Sequence, residues 1–282
     1  MELLVAEIDR LVQMALAEDM PWGDVTTDPL IDTSWQAEGR VLAKAEGVIA
    51  GLLVMERVFL LVEPTIQVEV SARDGQPVVP GETLATVRGP AASLLRAERV
   101  ALNFLQQLSG VATLTARFVG AVADLPCRIV DTRKTTPGLR RLEKYAVRMG
   151  GGHNHRFSLS DGVLLKDNHL ALLRAQGKSL RVALAETRQR IPHGLRIEVE
   201  VETLEELAEA LEAGADIVLL DNMAPPLLRE AVALTRGRAL TEASGGVSLQ
   251  SVRAIAETGV DLISVGALTH SAPALDLSLE IY

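Results

Sequence analysis

Arg196–Asp221 reads RIEVEVETLEELAEALEAGADIVLLD. It begins with a short apolar run, Arg196-Ile197-Glu198-Val199. A segment of helical spacing follows from Leu204 to Ala213 and stops at Gly214, before a second run, Asp216-Ile217-Val218-Leu219-Leu220. Strand, helix, strand in this order predicts two parallel strands joined by a helical crossover. The same rhythm recurs on both sides, with runs at Cys127–Val130, Gly162–Leu165, Ala239–Thr241 and Asp261–Val265. A further helix, Leu249–Glu257, ends before Gly259. Five or six β/α units fit between residues 125 and 270. That is short of the eight of a closed barrel, so the pattern predicts an incomplete, TIM-like α/β barrel or one that borrows strands.

Upstream the pattern differs. Residues 2–18 carry apolar positions at helical spacing (Leu3, Leu4, Ile8, Leu11, Val12, Ala15), with acids inside the stretch; this predicts an amphipathic helix rather than a signal peptide. From Ala37 to Val87 the alternation is that of strands, with turns at Asp74-Gly75 and Pro80-Gly81 and a helix near 51–61, together a small α+β unit. Residues 90–122 predict a long helix, broken near Ser109-Gly110, that joins two packed domains without a flexible linker. A chain of 282 residues with 48 % hydrophobic content can fill such cores. Its single cysteine, Cys127, excludes a disulfide framework and suits a reducing compartment. No run of about 18 apolar residues is present, so no membrane span is expected.

The strand ends carry the chemistry. They deliver Asp131 with Arg133 and Lys134, then Lys166, Glu200, Asp221, Glu242 with Ser244, and Gly266. In barrels of this type, active sites form on the loops at the carboxyl ends of the strands. The window Asp131–His169, DTRKTTPGLRRLEKYAVRMGGGHNHRFSLSDGVLLKDNH, holds eight Arg or Lys against four acids in a chain of formal charge −9. A local cation cluster on an acidic protein points to an acidic small molecule and away from nucleic acid. Arg133, Lys134, Arg156 and Lys166 fit that role because arginine grips carboxylates with two parallel hydrogen bonds. Arg140, Arg141, Lys144 and Arg148 share a helix with Glu143 and are in part ordinary surface. The turns after the last strands, Ser244-Gly245-Gly246-Val247-Ser248 and Val265–His270, suit phosphate: glycines admit close approach, and a helix predicted from near Ser248 would point its N–H groups outward. Glu200 and Asp221 could balance a lysine, or hold Mg²⁺ or ribose hydroxyls. His153, His155 and His169 lack the partners of a zinc site and are expected as donors to a substrate.

The long window, with AEDMPWGDVTTD, GVIAG, LLRAERVALNFLQQLSGVAT, EVEVETLEEL, VLLDN, EASGG and VGALTHS, resembles the quinolinate phosphoribosyltransferases along nearly the whole chain. The resemblance implies transfer of phosphoribosyl from 5-phosphoribosyl 1-pyrophosphate (PRPP) to quinolinate with decarboxylation. The products would be nicotinate mononucleotide, pyrophosphate and carbon dioxide, in the de novo synthesis of NAD. It implies an N-terminal α/β sandwich-like domain over 1–112, an open barrel over 113–271, and a tail over 272–282 returning to the first domain. It further implies a cytoplasmic homodimer or larger oligomer in which Arg99 enters the partner subunit's site. Arg133, His155 and Arg156 would hold the quinolinate carboxylates, and Lys134 and Lys166 would lie between the substrates. Glu200 and Asp221 would stand near the ribose and Mg²⁺; Ser244, Gly245, Gly266 and His270 would bind phosphate. Mg²⁺ would accompany PRPP, with no tightly bound organic cofactor. The chain departs from the family pattern at His153 and Phe157, neither a ligand position. The pyridine nitrogen would attack the ribose C1 as pyrophosphate leaves, and no protein nucleophile would be needed. The alternatives are a paralogue encoded beside molybdate-transport genes, a Schiff-base aldolase barrel using Lys166, and a PRPP-sensing scaffold.

Overall fold

The computed structural model describes residues 3–282. The elements begin with α1 (Val5–Asp19), α2 (Thr27–Leu30), β1 (Gln36–Ala43), β2 (Gly47–Val48), α3 (Leu52–Val62), β3 (Gln67–Val70), β4 (Pro77–Val78), β5 (Thr83–Pro90) and α4 (Ala91–Ala121). They continue with β6 (Arg128–Val130), α5 (Arg140–Met149), β7 (Val163–Leu165), α6 (Asp167–Ala175), α7 (Leu180–Arg190), β8 (Ile197–Val201), α8 (Leu204–Glu212) and β9 (Ile217–Asp221). The last are α9 (Pro225–Thr235), β10 (Leu240–Ser244), α10 (Val252–Ala256), β11 (Leu262–Ser264), α11 (Ala267–His270) and β12 (Leu277–Ile281). They form two compact units. One gathers the described residues up to Ala116 with Thr136–Gly151 and Leu268–Tyr282; the other gathers Arg117–Thr135 and Gly152–Ala267.

The first unit is built on a four-stranded antiparallel sheet in the order β12-β1-β5-β3, beside a β2-β4 pair. The strand β12 closes one edge by pairing Leu277–Ile281 with Gly39–Ala43 of β1. The predicted first helix begins at Val5, and its start at residue 2 lies outside the described residues. It lays Ile8 and Val12 against α3, whose Arg57 donates two hydrogen bonds to Asp9, at 2.7 and 2.9 Å. The expected break in α4 near Ser109-Gly110 does not occur: the helix runs unbroken from Ala91 to Ala121. Gly110 is there for close approach, since a Cβ would fall 2.1 Å from the Pro273 carbonyl oxygen. The returning tail is hydrogen-bonded at the same place, Leu275 N–H to the Gln106 carbonyl at 3.0 Å. On helix α5 Arg148 is exposed, one of the cations expected in part at the surface, whereas Glu143 and Lys144 are wholly buried, and Glu143 accepts the Thr136 N–H at 3.0 Å.

The second unit is a six-stranded parallel sheet in the order β6-β11-β10-β9-β8-β7. Taken in chain order, these strands follow one another around a ring that stays open between β6 and β7, which is the incomplete barrel. The segment at His153 partly fills that gap. Its N–H donates to the Ile129 carbonyl at 2.9 Å, and its carbonyl accepts the Asp131 N–H at 3.0 Å, alongside β6. Period-two alternation sorts the strand residues. On β8, Ile197, Val199 and Val201 are buried toward the helices, whereas Glu198 and Glu200 take the other face. Parallel register carries that inner face across the sheet: Glu200 lies level with Leu219, Leu219 with Glu242, and Asp221 with Ser244. The polar residues of the strand ends therefore converge by pairing geometry alone.

Candidate functional site

A cleft of about 510 Å³ opens over this inner face. That volume falls within the usual range for small-molecule sites. Its walls include Thr132, Arg133 and Lys134 after β6, His155 and Arg156 from the segment before β7, Lys166 after β7, Glu200 on β8, Asp221 and Asn222 at the end of β9, and Glu242, Ser244, Gly245 and Gly246 on and after β10. Nine residues expected from sequence thus share one cavity: Arg133, Lys134, His155, Arg156, Lys166, Glu200, Asp221, Ser244 and Gly245. Gly266 follows β11 and is not among the wall residues. Arg99 and His270 belong to the other compact unit. Arg99 is 60 % exposed on α4, with Glu98 at 3.8 Å, and His270 ends α11 with its Nδ1 2.6 Å from the Ser271 hydroxyl.

One side of the cleft is cationic. Burial, and next the neighbouring Arg133 guanidinium, pull the Arg156 pKa below the ordinary arginine value, while Glu198 opposes this. The Arg156 guanidinium is anchored to the Gly162 carbonyl at 2.9 Å. Beneath it lies a network of which sequence reading named Asp131, His155 and Glu242, but neither Glu198 nor the links between them. Asp131, wholly buried, accepts the His155 N–H at 2.9 Å and the Asn154 side-chain amide at 2.6 Å. The Arg156 N–H donates to His155 Nδ1 at 2.7 Å. A ring nitrogen that accepts carries no hydrogen, so the hydrogen sits on Nε2, facing Glu198 at 3.1 Å and Glu242 at 3.5 Å. Both glutamates are buried, and burial first, then the Glu198 charge, pushes the Glu242 carboxyl up to about 7. Carboxyl atoms of Glu198 and Glu242 and a nitrogen of His155 all lie within 4.8 Å of one another. The signal for both acids was in the sequence: each stands two places before a cleft residue on its strand, Glu198 before Glu200 and Glu242 before Ser244. His169, expected as a donor, instead accepts the Lys166 N–H on its Nδ1 at 2.9 Å.

The other side is acidic and glycine-rich. Lys166 Nζ reaches Glu200 at 3.0 Å, as the salt-bridge reading of that pair anticipated. Burial and then the Glu200 charge raise the Asp221 carboxyl above its usual range, with Lys166, the Asn222 amide and Lys134 opposing. Two neighbouring carboxylates of this kind could take a divalent cation, whose charge would offset their repulsion. The β8 end is held by the next turn, where the Thr203 hydroxyl accepts the Glu206 N–H at 3.2 Å and the Glu206 carboxylate accepts the Glu202 N–H at 3.0 Å. The predicted helix from Ser248 begins only at Val252, with five residues. Ser248 and Ser251 exchange side-chain and backbone hydrogen bonds that hold a turn instead. Any phosphate here would be met by the turn's backbone, not by a helix end.

Two family profiles match the chain: "Quinolinate phosphoribosyl transferase, N-terminal domain" over residues 24–109 and "Quinolinate phosphoribosyl transferase, C-terminal domain" over 111–280. The probable nicotinate-nucleotide pyrophosphorylase [carboxylating] of Bacillus subtilis is 45 % identical over 275 residues, covering 98 % of this chain and 93 % of that protein. Quinolinate phosphoribosyltransferase [decarboxylating] 2, mitochondrial, of Nicotiana glauca is 42 % identical over 98 % of this chain and 82 % of its own length. The crystal structure of NadC from Streptococcus pyogenes superposes with a TM-score of 0.94 at 41 % identity, covering 100 % of this chain and 99 % of that one. The nicotinate-nucleotide pyrophosphorylase of Francisella tularensis gives 0.93 at 37 % identity, with 100 % and 98 % coverage. With both profiles matched and identities of this size over nearly its full length, the chain belongs to the quinolinate phosphoribosyltransferase family.

Proposed function

We propose that this protein transfers phosphoribosyl from PRPP to quinolinate and releases pyrophosphate, carbon dioxide and nicotinate mononucleotide. One observation carries the assignment of the site: two guanidiniums, Arg133 and Arg156, stand close enough in one cleft for the first to depress the ionisation of the second. Like charges brought together on a fixed frame favour an anion between them, and quinolinate brings two carboxylates. His155 steadies Arg156 in this structure, because one ring nitrogen is spent on the arginine N–H and the other faces Glu198. Lys134 and Lys166 lie between the two substrates. The Ser244-Gly245 turn meets the phosphates with backbone N–H groups, joined by Gly266. Glu200 and Asp221 would hold Mg²⁺ with PRPP, and an ion held there would supply positive charge for the departing pyrophosphate. The pyridine nitrogen displaces pyrophosphate at the ribose C1. The 2-carboxylate then departs as carbon dioxide; the quaternised nitrogen stabilises the electron pair left on C2, and a proton from solvent takes the vacated place. The cationic side holds that carboxylate until the nucleotide has formed.

The exposed Arg99 supports an exchange between subunits, in which a homodimer or larger oligomer brings this arginine to its partner's cleft. Cys127 is a single free thiol whose pKa burial raises, and it suits a cytoplasmic setting. No helix among the described residues is long and apolar enough to cross a membrane. The test is to supply quinolinate, PRPP and Mg²⁺ and follow carbon dioxide. Release that requires all three supports the proposal, and release without PRPP, or none, contradicts it. In the same assay Arg99→Ala and Lys166→Ala, each impaired alone, should recover part of the activity when mixed; no recovery would remove the exchange.

A further inference from the structure

Asn222 is the only non-glycine among the described residues whose backbone lies in the left-handed region, with φ of 55°. Asparagine tolerates that region better than most side chains, and such conformations concentrate where function demands them. The residue follows Asp221 at the end of β9 and lines the cleft. Three contacts converge on it. Its backbone N–H donates to the Ser244 carbonyl at 2.9 Å. Its side-chain amide donates to Asp221 Oδ2 at 2.7 Å. At Gly245, a Cβ would fall 2.1 Å from Asn222 Oδ1 and 2.9 Å from its backbone nitrogen, so Asn222 fills the space that any larger residue at 245 would need.

We propose that Asn222 is a positioning residue: it aims the Asp221 carboxylate and locks the Ser244–Gly246 turn beside it, so that both face the phosphoribosyl pyrophosphate together. The inference rests on reading that wall of the cleft as the PRPP side. No simple replacement does all of this. Glycine adopts the backbone but offers no amide. Aspartate tolerates the backbone but sets a third carboxylate beside Asp221 and Glu200.

The test compares Asn222→Gly, Asn222→Asp and Asp221→Asn with the unaltered enzyme. Because glycine suits a positive φ, Asn222→Gly should melt as the parent does. Its KM for PRPP should rise about tenfold, the size expected for one hydrogen bond to a charged group. The Mg²⁺ concentration for half activity should rise with it, and the KM for quinolinate should stay within about twofold. Asn222→Asp should be impaired at least as much. An Asn222→Gly enzyme with unchanged PRPP and Mg²⁺ dependence, beside an impaired Asp221→Asn, overturns the positioning role alone. Equal rises in both KM values, or a fall in melting temperature, make Asn222 merely structural and overturn it as well. An Asp221→Asn enzyme with normal PRPP and Mg²⁺ dependence overturns the reading of the wall itself, and the inference with it.

Discussion

The α1–α3 contact and the cleft use the same kinds of side chain to opposite ends. Between α1 and α3, Asp9 and Arg57 face each other, each about a quarter exposed, and both carboxylate oxygens are taken. In the cleft, repulsion stands beside matched pairs such as Lys166 with Glu200. Arg133 and Arg156 are neighbours of one sign, Glu200 raises Asp221, and Glu198 raises Glu242. A fold that serves only its own stability matches charges in place. One that serves a ligand also holds like charges close together on a rigid frame.

That contrast breaks first at Arg133. Arg133→Ala removes a partner for a carboxylate and should raise the KM for quinolinate by roughly a hundredfold, about 2.7 kcal/mol, with a far smaller change for PRPP. Steady-state kinetics with each substrate varied in turn would show it. Equal losses for both would mean that Arg133 acts on the whole cleft, not on the acid. Next in size is a pH effect at Glu242. Its folded carboxyl titrates near 7 rather than in the ordinary range near 4.5, so the fold favours the protonated form. The resulting stability is fully present below about 4.5 and is lost as pH rises through 7. Glu242→Gln keeps the shape and abolishes the titration. The variant should therefore melt increasingly above the parent as pH goes from 5 to 8, read from thermal unfolding at the two values. A gap that stays constant with pH would place the proton elsewhere.

The sequence laid the barrel open because its strands are short apolar runs with polar ends, and such runs have one sensible place in a parallel sheet. Arg133, Lys166, Glu200 and Asp221 were legible as site residues for that reason alone: each stands just past, or at, the end of a buried strand. Glu242 was read as a strand-end group but not as a neighbour of His155, and Glu198 was missed, because an acid inside an apolar run conveys charge without saying which face it takes; the register that aligns Glu200, Leu219 and Glu242 decides it. The Ser109-Gly110 pair was misread for a similar reason. A glycine that breaks a helix and one that lets another backbone approach look the same until Pro273 is seen against it. The backbone pairing of His153 alongside β6 left no mark in the sequence, because every residue carries those groups.

The smallest effect belongs to the matched pair. Asp9→Asn keeps the size of the side chain but gives up the charge and one of the two acceptors that Arg57 uses. The pair is partly solvated and its attraction is screened, so the loss should be about 1 kcal/mol, a fall of roughly 2 to 4 °C in melting temperature. High salt should shrink the difference, since it weakens the pair in the parent and leaves the neutral variant nearly alone. Carbon dioxide release should not change, because Asp9 and Arg57 pin one helix to another and have no spare valence for a ligand. A variant that melts normally yet loses activity would reverse the division, for it would make a self-satisfied ion pair a functional one. A parent pair whose removal costs nothing would show instead that Ile8 and Val12 hold α1 by burial alone, with Asp9 and Arg57 only recording where the helix already sits.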